Sequence, residues 1–174
     1  MNAIAGAALS PERALHIVVR VGAERFAFPV FDVEEALDAP VVEWVPIAPA
    51  GLLGQLRHRG RMVSAWDAGW AFGLARAARA GAGAGAGAGT GAGAALVLRD
   101  GPRRLALVVD DVVEIARLEA DGMRAVPFGS DLDGVLSGVC LSPEGGGSIV
   151  NVVRVEALVA RAAVSDTFGS GSAR

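Results

Sequence analysis

The sequence contains no lysine and no tyrosine, and it has one cysteine among its 174 residues. Because all sixteen basic residues are arginine, the chain cannot supply a phosphate-loop lysine, a Schiff-base lysine or a serine-lysine nucleophile pair. Cys140 can form no intramolecular disulfide and has no second cysteine for a metal site. The apolar run GVLSGVCL around it predicts a buried, unreactive thiol.

Long apolar runs are also missing, since no stretch approaches the roughly twenty apolar residues that span a bilayer. The first residues, MNAIAGAALSPER, lack a basic segment, and Ser10 and Pro11 interrupt their apolar stretch, which is unlike a secretion signal. The formal net charge is −3, so the surface as a whole does not attract polyanions. We therefore expect a cytoplasmic protein with no direct membrane insertion.

The hydrophobic residues, 52% of the chain, fall mainly in short β-rich runs separated by polar turns. Two such regions of similar size, about 14–74 and about 94–154, lie on either side of a Gly/Ala tract. This pattern predicts an all-β protein of two small barrels rather than one α/β sheet. A short amphipathic helix is predicted at about 154–162, with a disordered N-terminus at 1–13 and a disordered tail at 163–174.

The Gly/Ala tract, residues 80–94, has no large side chain that could anchor it, so the sequence predicts a flexible linker. It satisfies part of the G-x-G-x-x-G template of dinucleotide-binding proteins. However, no predicted strand precedes it and a strand rather than a helix is predicted to follow, which argues strongly against a dinucleotide site.

Replacement of residues 80–94 by a Gly/Ser loop of about eight residues is expected to leave folding and partner binding nearly unchanged. Loop-closure entropy changes by only about 0.6 kcal/mol for each doubling of loop length. The melting temperatures of the parent chain and the variant provide the measurement. A decrease of more than about 5 °C would mean that the tract packs against the domain.

Candidate catalytic residues do not assemble into a site. Asp110 and Asp111 are adjacent carboxylates, but neighbours in a strand point to opposite faces, so a turn at a strand end is favoured. His16 lies between apolar residues and is predicted to pack in the core or at an edge. No serine lies in a G-x-S-x-G motif, and there is no zinc-type histidine pair or calcium loop. The sequence predicts no enzyme, no cofactor and no metal, although a hydrolase with an unusual motif stays open.

The stretch GQLRHRGRMVSAWD, residues 54–67, sets three arginines and a histidine among apolar residues and predicts a hairpin around Gly60. Strand alternation predicts one face with Gln55, Arg57 and Arg59 and another with Leu56 and His58. The arginines could form a solvated edge that discourages strand pairing, or one wall of a protein-binding groove. A nucleic-acid-binding β-barrel module using Arg57–Arg61 is a further alternative, which the low aromatic content of 5% disfavours.

Gly54, Arg59, Gly60 and Asp67 resemble the GVxNLRGxVxPVxDL signature of CheW-like domains, the adaptors of bacterial chemotaxis. Further family segments are similar to RFAFPVFDVEEAL with the VP-x-AP segment, to LALVVDDVVEI, and to LSGVCLSPEGGGSIVNVVRVEALV, in the same order. The resemblance covers about 14–161. The chain departs from the family pattern at Arg57 and His58 (usually Asn-Leu), Ser64 (proline), Ala68 (leucine) and Ala106 (often glycine).

This resemblance implies a CheW-like domain at 14–162 that folds as two intertwined five-stranded SH3-like β-barrels, with no enzymatic activity and no cofactor. It implies that the protein couples the cytoplasmic tips of methyl-accepting chemoreceptors to a CheA-type histidine kinase in membrane-associated receptor arrays. A helical receptor tip would dock in the groove between the barrels, with arginines at the rim. By motif position, the partner-binding residues are Val33, Glu35, Gly54, Arg59, Gly60 and Gly138, and Arg57 joins them as a neighbour in the basic cluster.

Overall fold

The structure is a computed structural model that describes residues 15–74, 93–126, 132, 134–142 and 146–168. Within these residues the first half of the chain contains five strands and a one-turn helix: β1 Leu15–Val21, β2 Glu24–Pro29, β3 Val33–Asp38, β4 Leu52–His58, β5 Arg61–Asp67 and α1 Ala68–Ala71. The second half contains β6 Ala94–Asp100, β7 Arg103–Val109, β8 Asp111–Arg117, β9 Leu136–Leu141, β10 Ile149–Val153 and the helix α2 Val155–Phe168. The predictions for the N-terminus at 1–13, for the linker residues 80–92 and for 169–174 lie outside the described residues. The prediction of a flexible linker is wrong for its last two residues, because Gly93 accepts a hydrogen bond from the backbone N–H of Ala39 and Ala94 is a buried residue of β6.

The strands form two five-stranded sheets. Sheet 1 has the order β8-β1-β2-β10-β9 and sheet 2 the order β3-β6-β7-β5-β4. Neighbouring strands are antiparallel except for one parallel pair in each sheet, β2 with β10 and β5 with β7. The predicted all-β, intertwined fold is confirmed. The division into barrels at about 14–74 and about 94–154 follows the order of the chain but not the sheets, because each sheet takes strands from both halves.

The two halves of the chain are structural repeats of each other. Each strand of the first half has a counterpart five strands later: β1 corresponds to β6, β2 to β7, and so on to β5 and β10. When every strand in the order of sheet 1 is exchanged for its counterpart, the order of sheet 2 results. In each half the third strand pairs with the first strand of the other half: β3 pairs with β6, and β8 pairs with β1. Each of these pairings contains a bulge, at Glu34 in one half and at Val113 in the other. This exchange of third strands is what intertwines the halves.

The buried side chains form three clusters, because alternate residues of a strand point to opposite faces of its sheet. In β1, Val18 belongs to a small cluster of sheet 1, whereas Val19 packs in a central cluster shared by both sheets. In β6, Ala95 belongs to a small cluster of sheet 2, whereas Leu96 packs in the central cluster. The fully buried aromatic residues of the central cluster are Phe26, Phe28, Trp66 and Phe72. These large side chains join the two sheets into one unit.

Several expectations for single residues are confirmed. His16 and Cys140 are buried, and burial raises the pKa of the Cys140 thiol, as expected for an unreactive core cysteine. Asp110 lies between β7 and β8, where its Oδ2 accepts a hydrogen bond of 2.6 Å from the backbone N–H of Gly22. It therefore belongs to a turn, as predicted.

Helix boundaries and one strand differ from the prediction. α2 continues to Phe168, six residues beyond the predicted end at 162, because the sequence after Leu158 is rich in alanine, the strongest helix former. The expectation of disorder is therefore wrong for 163–168. The acidic segment FDVEEALD has the composition of a helical turn, but only its first two residues lie in one, the 3-10 turn Val30–Asp32. The rest is β3, because pairing with β6 overrides the local preference.

Candidate functional site

Five charged or titratable side chains meet where the two edge strands of sheet 2, β3 and β4, approach each other. We call this group the charge cluster; its members are Glu34, Glu35, His58, Arg59 and Arg104. His58 Nε2 lies 2.8 Å from Glu35 Oε2, and Arg104 Nε donates to Glu34 Oε2 at 3.0 Å. Because β3 and β4 are at opposite ends of the sheet order, the hydrogen bond between Glu35 and His58 links the sheet edges, as in a barrel.

Arg59 reaches the charge cluster from a tight turn. Arg59 and Gly60 connect β4 to β5 with φ values of 47° and 78°, and His58 pairs with Arg61 across the turn. Two successive left-handed residues are typical of the type I′ turn that closes two-residue hairpins. The expectation that Arg59 lies on a strand face with Gln55 and Arg57 is therefore wrong, because β4 ends at His58.

The guanidinium of Arg59 is placed beside both carboxylates while its side chain stays 64% exposed. Its Nη2 lies 3.4 Å from Glu35 Oε2, and its Nη1 lies 3.8 Å from Glu34 Oε1. Within β4 the predicted alternation holds, since Leu56 and His58 are buried and Arg57 is exposed. The structure thus brings Glu35, Arg59 and Gly60 together, and their role in partner binding stays a prediction.

The surroundings of the two glutamates favour their ionised forms. The hydrogen bond from His58 is the main cause that lowers the pKa of Glu35 below its usual value of 4.5, and the positive charge of Arg59 adds to this. The hydrogen bond from Arg104 lowers the pKa of Glu34 in the same way. In both residues partial burial acts in the opposite direction but does not prevail. The carboxylates therefore stay charged at neutral pH.

Glu35→Gln is expected to weaken the loss of stability in acid. A carboxyl whose pKa is lower in the folded state stabilises the fold above its unfolded value of about 4.5, and this contribution is lost as the pH falls through the folded value. Urea unfolding of the parent chain and of Glu35→Gln at several pH values between 6 and 3 measures the difference. Parallel curves for the two proteins would show that the Glu35 carboxylate is not held by His58 and Arg59 in solution.

Two of the predicted site glycines allow close approach of the backbone. A Cβ on Gly54, whose φ is +149°, would lie 2.1 Å from the carbonyl oxygen of Glu43. Glu43 and Gln55 exchange two backbone hydrogen bonds of 2.7 and 2.8 Å, which hold the segment between β3 and β4 against β4. Gly54 is therefore required by the fold, and its contact with a partner stays a prediction.

Gly138 has the same position in the second half. A Cβ there would lie 2.5 Å from Met123 Cγ and 2.8 Å from the carbonyl oxygen of Arg124. Arg124 and Val139 exchange two backbone hydrogen bonds, of 2.8 and 2.9 Å. Because β9 belongs to sheet 1, the structure does not bring Gly138 to the charge cluster.

The remaining predicted residues flank the cluster. Val33 is half-buried at the start of β3 and packs against the central core, so its side chain supports the strand that carries Glu35. Arg57 is exposed beside Met62, its partner in the β4–β5 pairing, and Met62 is itself exposed. Sequence patterns missed His58, Glu34 and Arg104 as members of the site. The only local signal was a histidine on the apolar face of a predicted strand.

This geometry gives little support to the alternative functions, nucleic-acid binding and catalysis. Arg59 and Arg104 face carboxylates, which neutralise much of the positive charge that a nucleic acid would need. Among the residues that the structure describes, no group of three or more histidine, cysteine, aspartate or glutamate side chains is arranged to hold a metal ion. The helices in the described part of the chain are too short or too polar to cross a membrane.

Comparisons with known proteins agree with the fold. The family model described as "CheW-like domain" matches residues 16–163. The crystal structure of the scaffolding protein TtCheW from Thermoanaerobacter tengcongensis is similar, with a TM-score of 0.68 and 16% sequence identity. That similarity covers 87% of this chain and 90% of the other. The comparison with curated proteins gives no match.

Proposed function

The chain belongs to the CheW-like domain family, and from this premise we propose that it is a non-catalytic adaptor that couples chemoreceptors to a CheA-type histidine kinase. It would act in chemotaxis or a related motility pathway, in the cytoplasm, at membrane-associated receptor arrays. Its partners are the cytoplasmic tips of methyl-accepting chemoreceptors and the kinase. It needs no cofactor for this role.

The geometry of Arg59 is the observation that carries the proposal. Its guanidinium is largely exposed but is held on a rigid two-residue turn and oriented by two carboxylates. Arginine presents five donors in a planar fork, which suits a carboxylate or the carbonyls at a helix end. Such a preorganised arginine loses little freedom on binding, which favours a role as an interface anchor.

Apolar surface on the same hairpin supports docking of a helix. Met62 is 43% exposed and lies across from Arg57 on the neighbouring strand. Helix-in-groove recognition combines apolar anchors with polar groups at the rim. Val33, Glu35, Arg57, Arg59 and Gly60 form the proposed contact surface, and Gly54 is proposed to shape the backbone that presents it. Gly138 is proposed as a separate partner contact on sheet 1.

A reconstitution experiment tests the proposed function. Receptor-containing membranes and the CheA-type kinase of the source bacterium are mixed with and without the chain, and autophosphorylation of the kinase is measured. We expect the chain to sediment with the membranes and to make kinase activity depend on the receptor. The chain alone should neither hydrolyse ATP nor be thermally stabilised by it. Absence of both sedimentation and kinase coupling would refute the adaptor role.

A further inference from the structure

Arg104 reaches the charge cluster from the second half of the chain. It is the second residue of β7, and β6 lies between β7 and β3, the strand that carries Glu34. Two strand spacings amount to about 10 Å, which only long side chains can bridge. Arg104 Nε nevertheless donates to Glu34 Oε2 at 3.0 Å. A residue 70 positions away in the sequence therefore holds this carboxylate.

The guanidinium of Arg104 is itself fixed in place. Its Nη1 donates to the backbone carbonyl oxygens of Pro102 at 2.9 Å and of Gly101 at 3.3 Å, in the turn between β6 and β7. Arg104 lies two positions before Ala106, a member of the small cluster of sheet 2, so its side chain points to the same side of the sheet. These hydrogen bonds, together with partial burial, give the guanidinium a defined position.

Glu34 uses its two carboxylate oxygens for different partners. Oε2 accepts the hydrogen bond from Arg104, while Oε1 lies 3.8 Å from Arg59 Nη1. Glu34 is the bulge residue of β3, and a bulge can redirect a side chain out of the regular alternation. Because the carboxylate is planar, a bond that fixes one oxygen also restricts where the other lies. Arg104 thus restricts the oxygen that faces Arg59.

The repeat shows that this arrangement is particular to sheet 2. The counterpart of Arg104 is Arg25, the second residue of β2. The counterpart of Glu34 is the other bulge residue, Val113, which carries no charge. Arg25 Nη1 lies 3.7 Å from Oε1 of Glu114, the residue after the bulge. An arginine that holds the carboxylate of a bulge residue is therefore not a general requirement of this fold.

We propose that Arg104 is a positioning residue that acts through Glu34 to hold the guanidinium of Arg59 in the orientation in which it binds the partner. This inference rests on the proposed adaptor function, because it concerns the same contact surface. Without Arg104, the carboxylate of Glu34 can rotate, and Arg59 loses a fixed neighbour. Partner binding must then order the Arg59 side chain, which lowers the affinity.

The first test measures the mobility of Arg59 in the protein alone. Arg104→Met keeps an apolar stem but removes the charge and the donors. Arg103→Met is the matched control, because Arg103 precedes Arg104 on β7 and pairs with Asp100 outside the charge cluster. The side-chain Nε–H NMR signal of Arg59 is identified by its absence from the spectrum of Arg59→Ala.

We expect ¹⁵N relaxation of this signal to show greater picosecond-to-nanosecond mobility in Arg104→Met than in the parent chain or in Arg103→Met. The signal should be equally mobile in Glu34→Ala, since the same hold on Arg59 is lost there. Equal mobility of Arg59 in the parent, Arg104→Met and Arg103→Met would overturn the proposal.

The second test measures binding to receptor-containing membranes. Arg104→Met is expected to bind about fivefold more weakly than the parent, as is typical when one long side chain must be ordered on binding. Arg103→Met should bind normally. In the Glu34→Ala background, Arg104→Met should change the affinity by less than about twofold, because the carboxylate through which Arg104 acts is missing. Thermal unfolding of each variant checks that the compared proteins are folded.

The outcomes separate this inference from the adaptor proposal. Equal binding by the parent and Arg104→Met, or the same loss with and without Glu34, would refute the role of Arg104 and leave the adaptor function intact. Absence of binding by the parent itself would refute the adaptor function, while the mobility of Arg59 still tests its positioning by Arg104.

Should Arg104→Met not fold, Arg104→Lys takes its place. Lysine keeps the charge but lacks the planar fork that contacts Glu34 and the turn carbonyls from different nitrogens. The same changes in Arg59 mobility and in affinity are then expected at a smaller size, and their absence would again refute the role of Arg104.

Discussion

Gly54→Ala is expected to destabilise the protein by about 3 kcal/mol or more, at or above the upper end of the usual cost of a single substitution. The added methyl carbon would lie 2.1 Å from the carbonyl oxygen of Glu43, a distance that no side-chain rotation can relieve because both groups belong to backbone geometry. The φ of +149° is also unfavourable for alanine. Relief would require breaking the two hydrogen bonds between Glu43 and Gln55 and moving the segment before β4.

Gly60→Ala is the matched control for this substitution. Gly60 also has a positive φ, of +78°, but a Cβ there would meet nothing within 4 Å. Its expected cost is only that of a left-handed residue, about 1–2 kcal/mol. Urea unfolding of the parent and both variants gives the comparison. If Gly54→Ala were no less stable than Gly60→Ala, close approach of the Glu43 backbone would not be the reason for glycine at position 54.

Arg59→Ala is expected to leave stability nearly unchanged and to weaken partner binding about 30-fold, as is typical of the loss of an interface arginine worth about 2 kcal/mol. Its ion pairs with Glu34 and Glu35 span 3.8 and 3.4 Å on an exposed side chain, and such surface pairs contribute about 0–1 kcal/mol. Alanine retains the same backbone cost as arginine at the φ of 47°. The free energy of unfolding should therefore change by less than about 1 kcal/mol.

The measurements are the unfolding midpoint, binding to receptor membranes and activation of the kinase, all on the same preparation. Arg154→Ala serves as the control, because Arg154 is a half-exposed arginine with a similarly long contact, 3.8 Å to Glu156, outside the charge cluster. It should bind normally. An Arg59→Ala protein that is stable and binds as well as Arg154→Ala would return Arg59 to the role of a solvated charge. An unfolded one would assign it to the fold.

Sequence patterns predicted the strands well where the information is local. The hairpins β1–β2, β4–β5 and β9–β10 are each short β-rich runs around a polar or glycine-containing turn, and the structure contains all three. The pairing of β3 with β6 was not predicted in detail, because it joins residues about sixty positions apart and overrides an acidic, helix-like segment. Such pairings depend on the whole fold and leave no local signal.

The site was predicted only in part, because some of its contacts join residues that are far apart in the sequence and leave no local signal. Glu35, Arg59 and Gly60 were assigned to partner binding by motif position; the structure places Arg59 beside Glu35, and the binding role stays a prediction. His58 was expected only on the buried face of a strand, because its partner Glu35 is 23 residues away and belongs to the opposite edge of the sheet. Arg59 was assigned to a strand face because the alternation of polar and apolar residues was extended beyond His58, where the strand in fact ends. The left-handed conformation that directs its side chain is visible only in three dimensions.

The exchange of third strands has a consequence for synthesis on the ribosome. In sheet 1, His16 pairs with Ala116, a separation of 116 − 16 = 100 positions. At about 5–20 residues per second, β1 waits roughly 5–20 s before its neighbour β8 has been translated. During that interval the nascent chain presents an unpaired strand edge to the cell, the kind of surface that chaperones recognise and that promotes aggregation. The exchange of third strands joins the two halves in the folded protein. It also means that the edge of β1 stays unpaired until the second half has been translated.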